Sequence, residues 1–241
     1  MANRKNIETE LIYGVHPILE LLKAKNRKLY TLYTTKPTPE SFSDIEQLLS
    51  KGTQLQYVER EILTKMVHST DHQGFVATVQ LFPFRKKQFN KEKEPILILL
   101  DNMHDPRNVG AIIRTAVCTG INGIIVPVKN SAPINATVYK AAAGLSEKIP
   151  IMQVSSSMAA ILELKKEGYE IYLTTIEGKN LQEIEFKKPL CLIIGNEGVG
   201  ISKNLYKEGI HVSLPQTSPD ISYNASVAAG IFMFYIINLN K

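Results

Sequence analysis

The 241-residue chain predicts an α/β protein in two parts, a small N-terminal α/β unit and a larger C-terminal unit built on a parallel sheet. Three observations lead there. Short apolar runs alternate with amphipathic stretches along the whole length. The runs in the second part are continuous rather than alternating, as strands covered on both faces by helices must be. Between the parts lies a polar, basic stretch that ends in proline.

In the first part "YGVHPILELLK" reads as a helix, "KLYTLYTT" as a strand and "SFSDIEQLLSKG" as a helix ending at Gly52; "TQLQYVE", "REILTKMVHS" and "GFVATVQLF" then give strand, helix and strand. Residues 83–95, with Arg85, Lys86, Lys87, Lys91 and Lys93 ahead of Pro95, read as a basic linker. The expected domains are therefore residues 1–82 and 96–241. Beyond the linker come strand "ILILL", a helix through "RNVGAIIRTAV", strand "GIIVPV", helix "NATVYKAAAG", strand "IPIMQV", helix "SSMAAILELKKEG" and strand "EIYLTT". Strand "LCLIIG", a short helix near "SKNLYKEG", strand "HVSLP" and a helix from about Ser222 to Leu239 complete the pattern.

Composition narrows the function classes. The formal charge of +5 permits a polyanionic partner. Most of the excess sits in residues 1–95, with 15 Lys+Arg against 11 Asp+Glu, whereas residues 96–241 hold 13 against 12. The most apolar segment, "ASVAAGIFMFYIINL", is too short to span a bilayer, and the N-terminus has no apolar run for a signal peptide, so a cytoplasmic protein without a membrane partner is expected. Cys118 and Cys191 lie in apolar settings without a C-x-x-C pair or a nearby histidine; buried free thiols are expected, and no metal site.

Ligands of such sheets bind in the loops at the strand carboxyl ends. That rule selects "DNMHDPRN", "TTIEGKN", "GNEGVGIS" and "PQTSPDISYN". The third has glycines in the order G-x-x-G-x-G rather than G-x-G-x-x-G, and no acidic residue ends the next strand, which disfavours a dinucleotide site. Each notable side chain also has a plain structural reading. Glu197 can cap free N–H groups, Ser222, Asn224 and Asn108 suit helix caps, and Arg114 can extend into water.

Taken together, Asn108 with Arg114, Glu197, and Ser222 with Asn224 come from three loops on one sheet edge. The arrangement resembles the SpoU/TrmH branch of the SPOUT RNA methyltransferases. Asn108, Gly110 and Arg114 match its Asn-x-Gly-x-x-x-Arg motif, and Gly195, Glu197 and Gly200 its Gly-x-Glu-x-x-Gly motif. Its third motif, Ile-Pro-Met-x-Gly-x-x-x-Ser-Leu-Asn-Val-Ser, aligns with Leu214 to Ser226; Gln216, Ser218, Tyr223 and Ala225 depart from it, whereas Ser222, Asn224 and Ser226 are kept. "IYGVHPILELLKA" and "DHQGFVATV" are similar to the N-terminal substrate domain of the family's ribosomal RNA branch.

The resemblance implies S-adenosylmethionine-dependent 2′-O-methylation of structured RNA, above all a guanosine of 23S ribosomal RNA. Transfer RNA as substrate, or a non-catalytic RNA-binding assembly factor, are the alternatives. It further implies a deep trefoil knot and a homodimer, formed through the C-terminal domain, whose active sites draw on both subunits. Asn108, Arg114, Glu197, Ser222 and Asn224 would form the catalytic set. Thr174, Gly195, Leu214 and Tyr223 would bind the cofactor, with Tyr223 bordering its adenine.

Overall fold

The computed structural model describes residues 8–217 and 222–238, which form two compact units. The first unit holds β1 (Thr9–Tyr13), α1 (Val15–Ala24), β2 (Leu29–Thr34), α2 (Phe42–Glu46), β3 (Gln54–Tyr57), α3 (Arg60–Val67) and β4 (Phe75–Gln80). Its sheet runs β1-β4-β2-β3, with β2 and β3 parallel and the other pairs antiparallel. Two differences from the sequence reading stand out. β1 was not anticipated, because "TELIY" is short and carries a charge, and it forms by pairing with β4 nearly 70 residues away. α2 is only five residues long, and the chain beyond it tightens into i→i+3 bonds from Leu48 to Ile45 and from Leu49 to Glu46 before Gly52.

The second unit holds β5 (Ile96–Leu100), α4 (Pro106–Thr119) and β6 (Gly123–Pro127). The chain then makes α5 (Ala136–Ala141) and returns through β7 (Ile151–Val154), α6 (Ser157–Lys166), β8 (Glu170–Asn180), β9 (Leu190–Ile194), β10 (Ile210–Ser213) and α7 (Ala225–Asn238). The second unit's six strands lie in the order β10-β8-β9-β5-β6-β7, and every pairing is parallel. β5, β6 and β9 are buried throughout, which is why their sequences are unbroken apolar runs. α4 starts where Asp105 accepts the Arg107 N–H at 2.8 Å with Pro106 in the first turn, and stops at Gly120 in left-handed conformation. The stretch near "SKNLYKEG" is a 3-10 helix, Lys203–Glu208, rather than an α-helix.

Residues 134–148, which connect β6 to β7, belong to the first unit. α5 buries Val138 and Tyr139, and Gly144, at φ 79°, passes so close to α1 that a Cβ there would lie 2.8 Å from Pro17 Cα. A buried ion pair seals the join. Arg27 donates from Nε and Nη2 to Glu147 Oε1 at 2.9 and 2.6 Å, and from Nη1 to Glu10 and to the Gln80 carbonyl. Its guanidinium carbon lies 4.7 Å from the Tyr139 ring centroid and 5.3 Å from that of Phe82. Burial pushes the Glu147 carboxyl upward against the pull of Arg27.

The basic segment expected as a linker is an ordered loop of the second unit from Phe84 onward. Arg85 grips both Glu94 oxygens at 2.7 and 2.9 Å and covers Phe89, which is itself buried. The charge is partly paired within the segment, so it does not hang free as its composition suggested. Cys191 is buried as expected, and burial raises its thiol. Cys118 is exposed instead, because it lies one turn beyond Arg114 on the outer side of α4. Among the described residues no helix is long and apolar enough to cross a membrane.

Two outcomes are expected. Arg27→Ala leaves Glu147 buried without its cation and should cost about 3–5 kcal/mol of unfolding free energy in a denaturant titration. His72, buried, accepts the Gly74 N–H on Nδ1 at 3.0 Å, which leaves Nε2 to donate to Thr64 Oγ1 at 3.1 Å. Burial, helped by Arg60 and Lys140, holds its pKa below the ordinary 6.5. The folded state thus binds the proton more weakly than the unfolded chain. Stability should be full above the ordinary histidine value and fall as pH drops through the folded one. His72→Gln should flatten that part of a Tm-against-pH profile.

Candidate functional site

The order of the parallel sheet reverses between β5 and β9, and a crevice at the carboxyl ends of such a pair is where ligands bind. The chain reaches this edge at four places. β5 runs through Asp101 and Asn102 into α4, and β9 runs into a tight turn at 196–200 closed by reciprocal backbone bonds between Asn196 and Gly200. Gly195 is required there, because a Cβ would lie 2.4 Å from Gly200 C. Glu197 thus stands in a turn rather than at a helix entrance. β8 pairs with β10 up to Leu173 and again from Lys179, so Thr174 to Gly178 bulge out of the ladder at the same edge. β10 leads through Leu214 toward α7.

Three of the expected catalytic residues meet in one hydrogen-bonded cluster. The Asn108 amide donates to Glu197 Oε1. Asn224 Nδ2 donates to Asn108 Oδ1 at 3.2 Å and to Glu197 Oε1 at 3.4 Å. Oδ1 of Asn224 meanwhile caps α7, accepting the N–H groups of Ser226 and Val227 and the Ser226 hydroxyl. Asn224, not Ser222, is therefore the cap of α7, and one amide serves both the cap and the cluster. Asp105 holds the cap of α4, which leaves Asn108, buried in the first turn, free to face Glu197.

Arg114 does not join. Six residues separate it from Asn108, which on a helix of 3.6 residues per turn turns the two side chains about 120° apart. It is exposed, and among the described residues it has no hydrogen bond or ion pair. Ser222 is exposed and, among the described residues, makes no hydrogen bond to the cluster's side chains, so it does not join it either. Thr174 donates to the Ile193 carbonyl at 2.9 Å, tying the bulge of β8 to β9. Tyr223 is 42% exposed and its hydroxyl donates to the Pro215 carbonyl at 3.3 Å. Ser218 lies outside the described residues. Sequence reasoning missed Asn196, whose side chain accepts the Gly198 N–H at 2.8 Å and shapes the turn that presents Glu197; an Asn between two glycines just past an apolar strand is the signal that could have found it.

Ile176 and Val199 are 72% and 76% exposed on the bulge of β8 and the turn after β9. Large apolar side chains left exposed on loops at this edge are available to pack against a ligand.

Comparison with known proteins places these features. The SpoU rRNA methylase family matches residues 95–234, and the RNA 2′-O ribose methyltransferase substrate-binding family matches residues 11–84. The 23S rRNA (guanosine-2′-O-)-methyltransferase RlmB of Shewanella oneidensis is 33% identical over 242 residues, covering 96% of this chain and 98% of the relative. RlmB of Vibrio parahaemolyticus is 30% identical, covering 95% and 96%. Among solved structures, the SpoU methyltransferase AviRb of Streptomyces viridochromogenes, in complex with the cofactor AdoMet, superposes with a TM-score of 0.81 at 21% identity, covering 96% of this chain and 90% of AviRb. An RNA 2′-O ribose methyltransferase structure gives 0.84 at 18% identity, covering 98% and 91%.

The dual role of Asn224 can be separated by stability. Asn224→Ala should lower unfolding free energy by about 1 kcal/mol through the lost cap. Asn224→Asp keeps a capping oxygen and should restore most of the cap in the same thermal unfolding assay, while replacing a donor to Glu197 with a like charge.

Proposed function

Because the chain belongs to the SpoU rRNA methylase family, we propose that it methylates the 2′-hydroxyl of a guanosine ribose in 23S ribosomal RNA, with S-adenosylmethionine as methyl donor. The observation that carries this reading is the cluster of Asn108, Glu197 and Asn224, which draws one polar side chain from each of three loops onto the switch edge of the sheet.

The residues present fit the cofactor. Thr174 stands on the bulge of β8, Gly195 and Leu214 just past the ends of β9 and β10, and Tyr223 before α7, and these would hold an adenosyl group between close-approaching backbone and apolar side chains. When bound, S-adenosylmethionine supplies an electrophilic methyl group on a sulfonium sulfur. The chain must hold a ribose hydroxyl in line with that methyl and ease the loss of its proton. Asn108 and Asn224 fix the Glu197 carboxylate, so the cluster presents an oriented hydrogen-bonding wall rather than mobile side chains. Ser222 adds a hydroxyl two residues before Asn224.

Arg114 anchors the adjoining phosphate and polarises the hydroxyl. Its guanidinium stays protonated and does not act as a base. Since Arg114 faces away from Asn108 in its own chain, the site is completed by a second copy, whose Arg114 enters across a dimer interface. The exposed stripe of Val227, Ile231 and Phe234 on α7 supports such an interface. The deep knot of the C-terminal domain belongs to the same family-based reading.

Arg114→Ala should reduce methyl transfer from labelled S-adenosylmethionine to ribosomal RNA by about 100-fold or more, while cofactor affinity by calorimetry stays within a few fold. Arg114→Lys should recover little, lacking the planar fork. Asn224→Ala should also be inactive. Co-refolding Arg114→Ala with Asn224→Ala in equal amounts should restore roughly a quarter of wild-type transfer, because each mixed dimer holds one intact site. Near-normal turnover of Arg114→Ala would return the residue to the helix surface, and a mixture without rescue would place both residues in one subunit's site.

A further inference from the structure

On the far side of β5 from β9, a cleft of about 340 Å³ opens at the carboxyl ends of β5, β6 and β7. Its size lies near the lower bound of small-ligand pockets, enough for one nucleotide-sized group. One wall is built around Asp101. This buried carboxylate accepts the Ser157 hydroxyl at 2.5 Å on one oxygen, and the Ser202 N–H at 2.8 Å and the Asn102 amide at 3.4 Å on the other. Asn102 also donates to the Ser202 hydroxyl at 2.6 Å. Both oxygens of Asp101 are thus occupied, and the charge serves to fix the wall, not to meet a ligand.

What remains open to the cleft is of another kind. Lys129, Asn130 and Asn204 are exposed, and among the described residues their side chains have no hydrogen bond or ion pair. Pro127, Met158 and Leu205 supply apolar surface. One unpaired cation, two free amides that both donate and accept, and an apolar floor match a phosphate, a base edge and a base face in that order. A metal ion is poorly matched, because the single carboxylate of the wall is already saturated. The cleft is also continuous in the chain with the cluster described above. Asn102 precedes α4 and its Asn108, and Ser202 and Asn204 follow the turn that carries Glu197.

We propose that this cleft is an RNA subsite that takes a nucleotide neighbouring the methylated one, with Lys129 on its phosphate and Asn130 and Asn204 on its base edge. The proposal rests on the RNA methyltransferase reading. It adds to that reading a place where the chain itself reads sequence.

The test uses the full chain, labelled with ¹⁵N, with S-adenosylhomocysteine present to fill any adenosyl pocket. The four ribonucleoside 5′-monophosphates are titrated one at a time, with inorganic phosphate as control. Saturable shifts are expected at the amides of Asn102, Lys129, Asn130 and Ser155 to Met158, with one base bound at least about threefold more tightly than another. Lys129→Gln should weaken all four alike, and Asn130→Ala with Asn204→Ala should level the preference between bases. On ribosomal RNA the asparagine double variant should lose about tenfold in kcat/KM, with cofactor affinity and circular dichroism as in wild type. The proposal is overturned if none of the nucleotides shifts the cleft amides, if phosphate binds as well as the nucleotides do, or if the double variant methylates RNA with wild-type kcat/KM. Wild-type protein that methylates no RNA would defeat the methyltransferase reading instead, since nucleotide binding is read without any transfer.

Discussion

The parallel pairing of β5 with β9 is the contact on which the functional edge depends. Register from Ile96 against Leu190 to Leu100 against Ile194 brings together segments more than 90 residues apart, and the Asp101 N–H extends the ladder by one bond to the Ile194 carbonyl. Parallel strands lie side by side with the same direction, so both chains leave the sheet at the same end. That single consequence puts the start of α4 next to the turn at 196–200. Asn108 meets Glu197 on one side of this junction, and Asn102 meets Ser202 on the other. The cluster and the cleft are thus two products of one strand pair.

The cluster is polar but has no cation in it among the described residues. One oxygen of its carboxylate, Oε1, accepts from two amides, which hold fixed donor and acceptor directions. The arrangement keeps Glu197 oriented without neutralising it, and it leaves the cation, Arg114, to a different side of α4. A salt bridge between Glu197 and Arg114 within one chain would have left no unpaired guanidinium on α4. Coupling the cap of α7 to the cluster through Asn224 adds a further constraint. The helix cannot start elsewhere without breaking the bonds to Asn108 and Glu197, so the fold of the C-terminal segment and the order of the site are one event.

Legibility in the sequence followed the range of the interactions. Buried strands such as β5 and β9 announce themselves locally, because every residue must be apolar. The cluster was legible through its motifs, since Asn108 lies near Pro106 and Gly110, Glu197 beside Gly198, and Asn224 within the third motif. The isolation of Arg114 was not, as a motif gives spacing along one helix but not which side chains of other loops stand nearby. β1 failed to stand out because its pairing partner, β4, supplies the stability that its own five residues lack. The membership of residues 134–148 had no local signal either. Arg27 and Glu147 are 120 residues apart, and each read singly is an ordinary surface charge. Arg85 misled in the opposite direction, looking like part of a solvated basic run until Glu94 folded back onto it.

A cut at the boundary suggested by composition would divide the first compact unit, which includes residues 134–148. A chain that begins after the basic segment keeps α5 and Glu147 but loses Arg27, Glu10 and the sheet strand against which α5 packs. Tyr139, whose hydroxyl donates to Glu10 at 3.0 and 3.2 Å, would lose that acceptor as well. The excursion through residues 134–148 commits the first unit to the connection between β6 and β7, whose β6 end carries Lys129 and Asn130. Loss of activity in a truncated chain reports on that connection as much as on lost RNA contact, and single-residue changes on the surface of the first unit are the cleaner probe of what it reads.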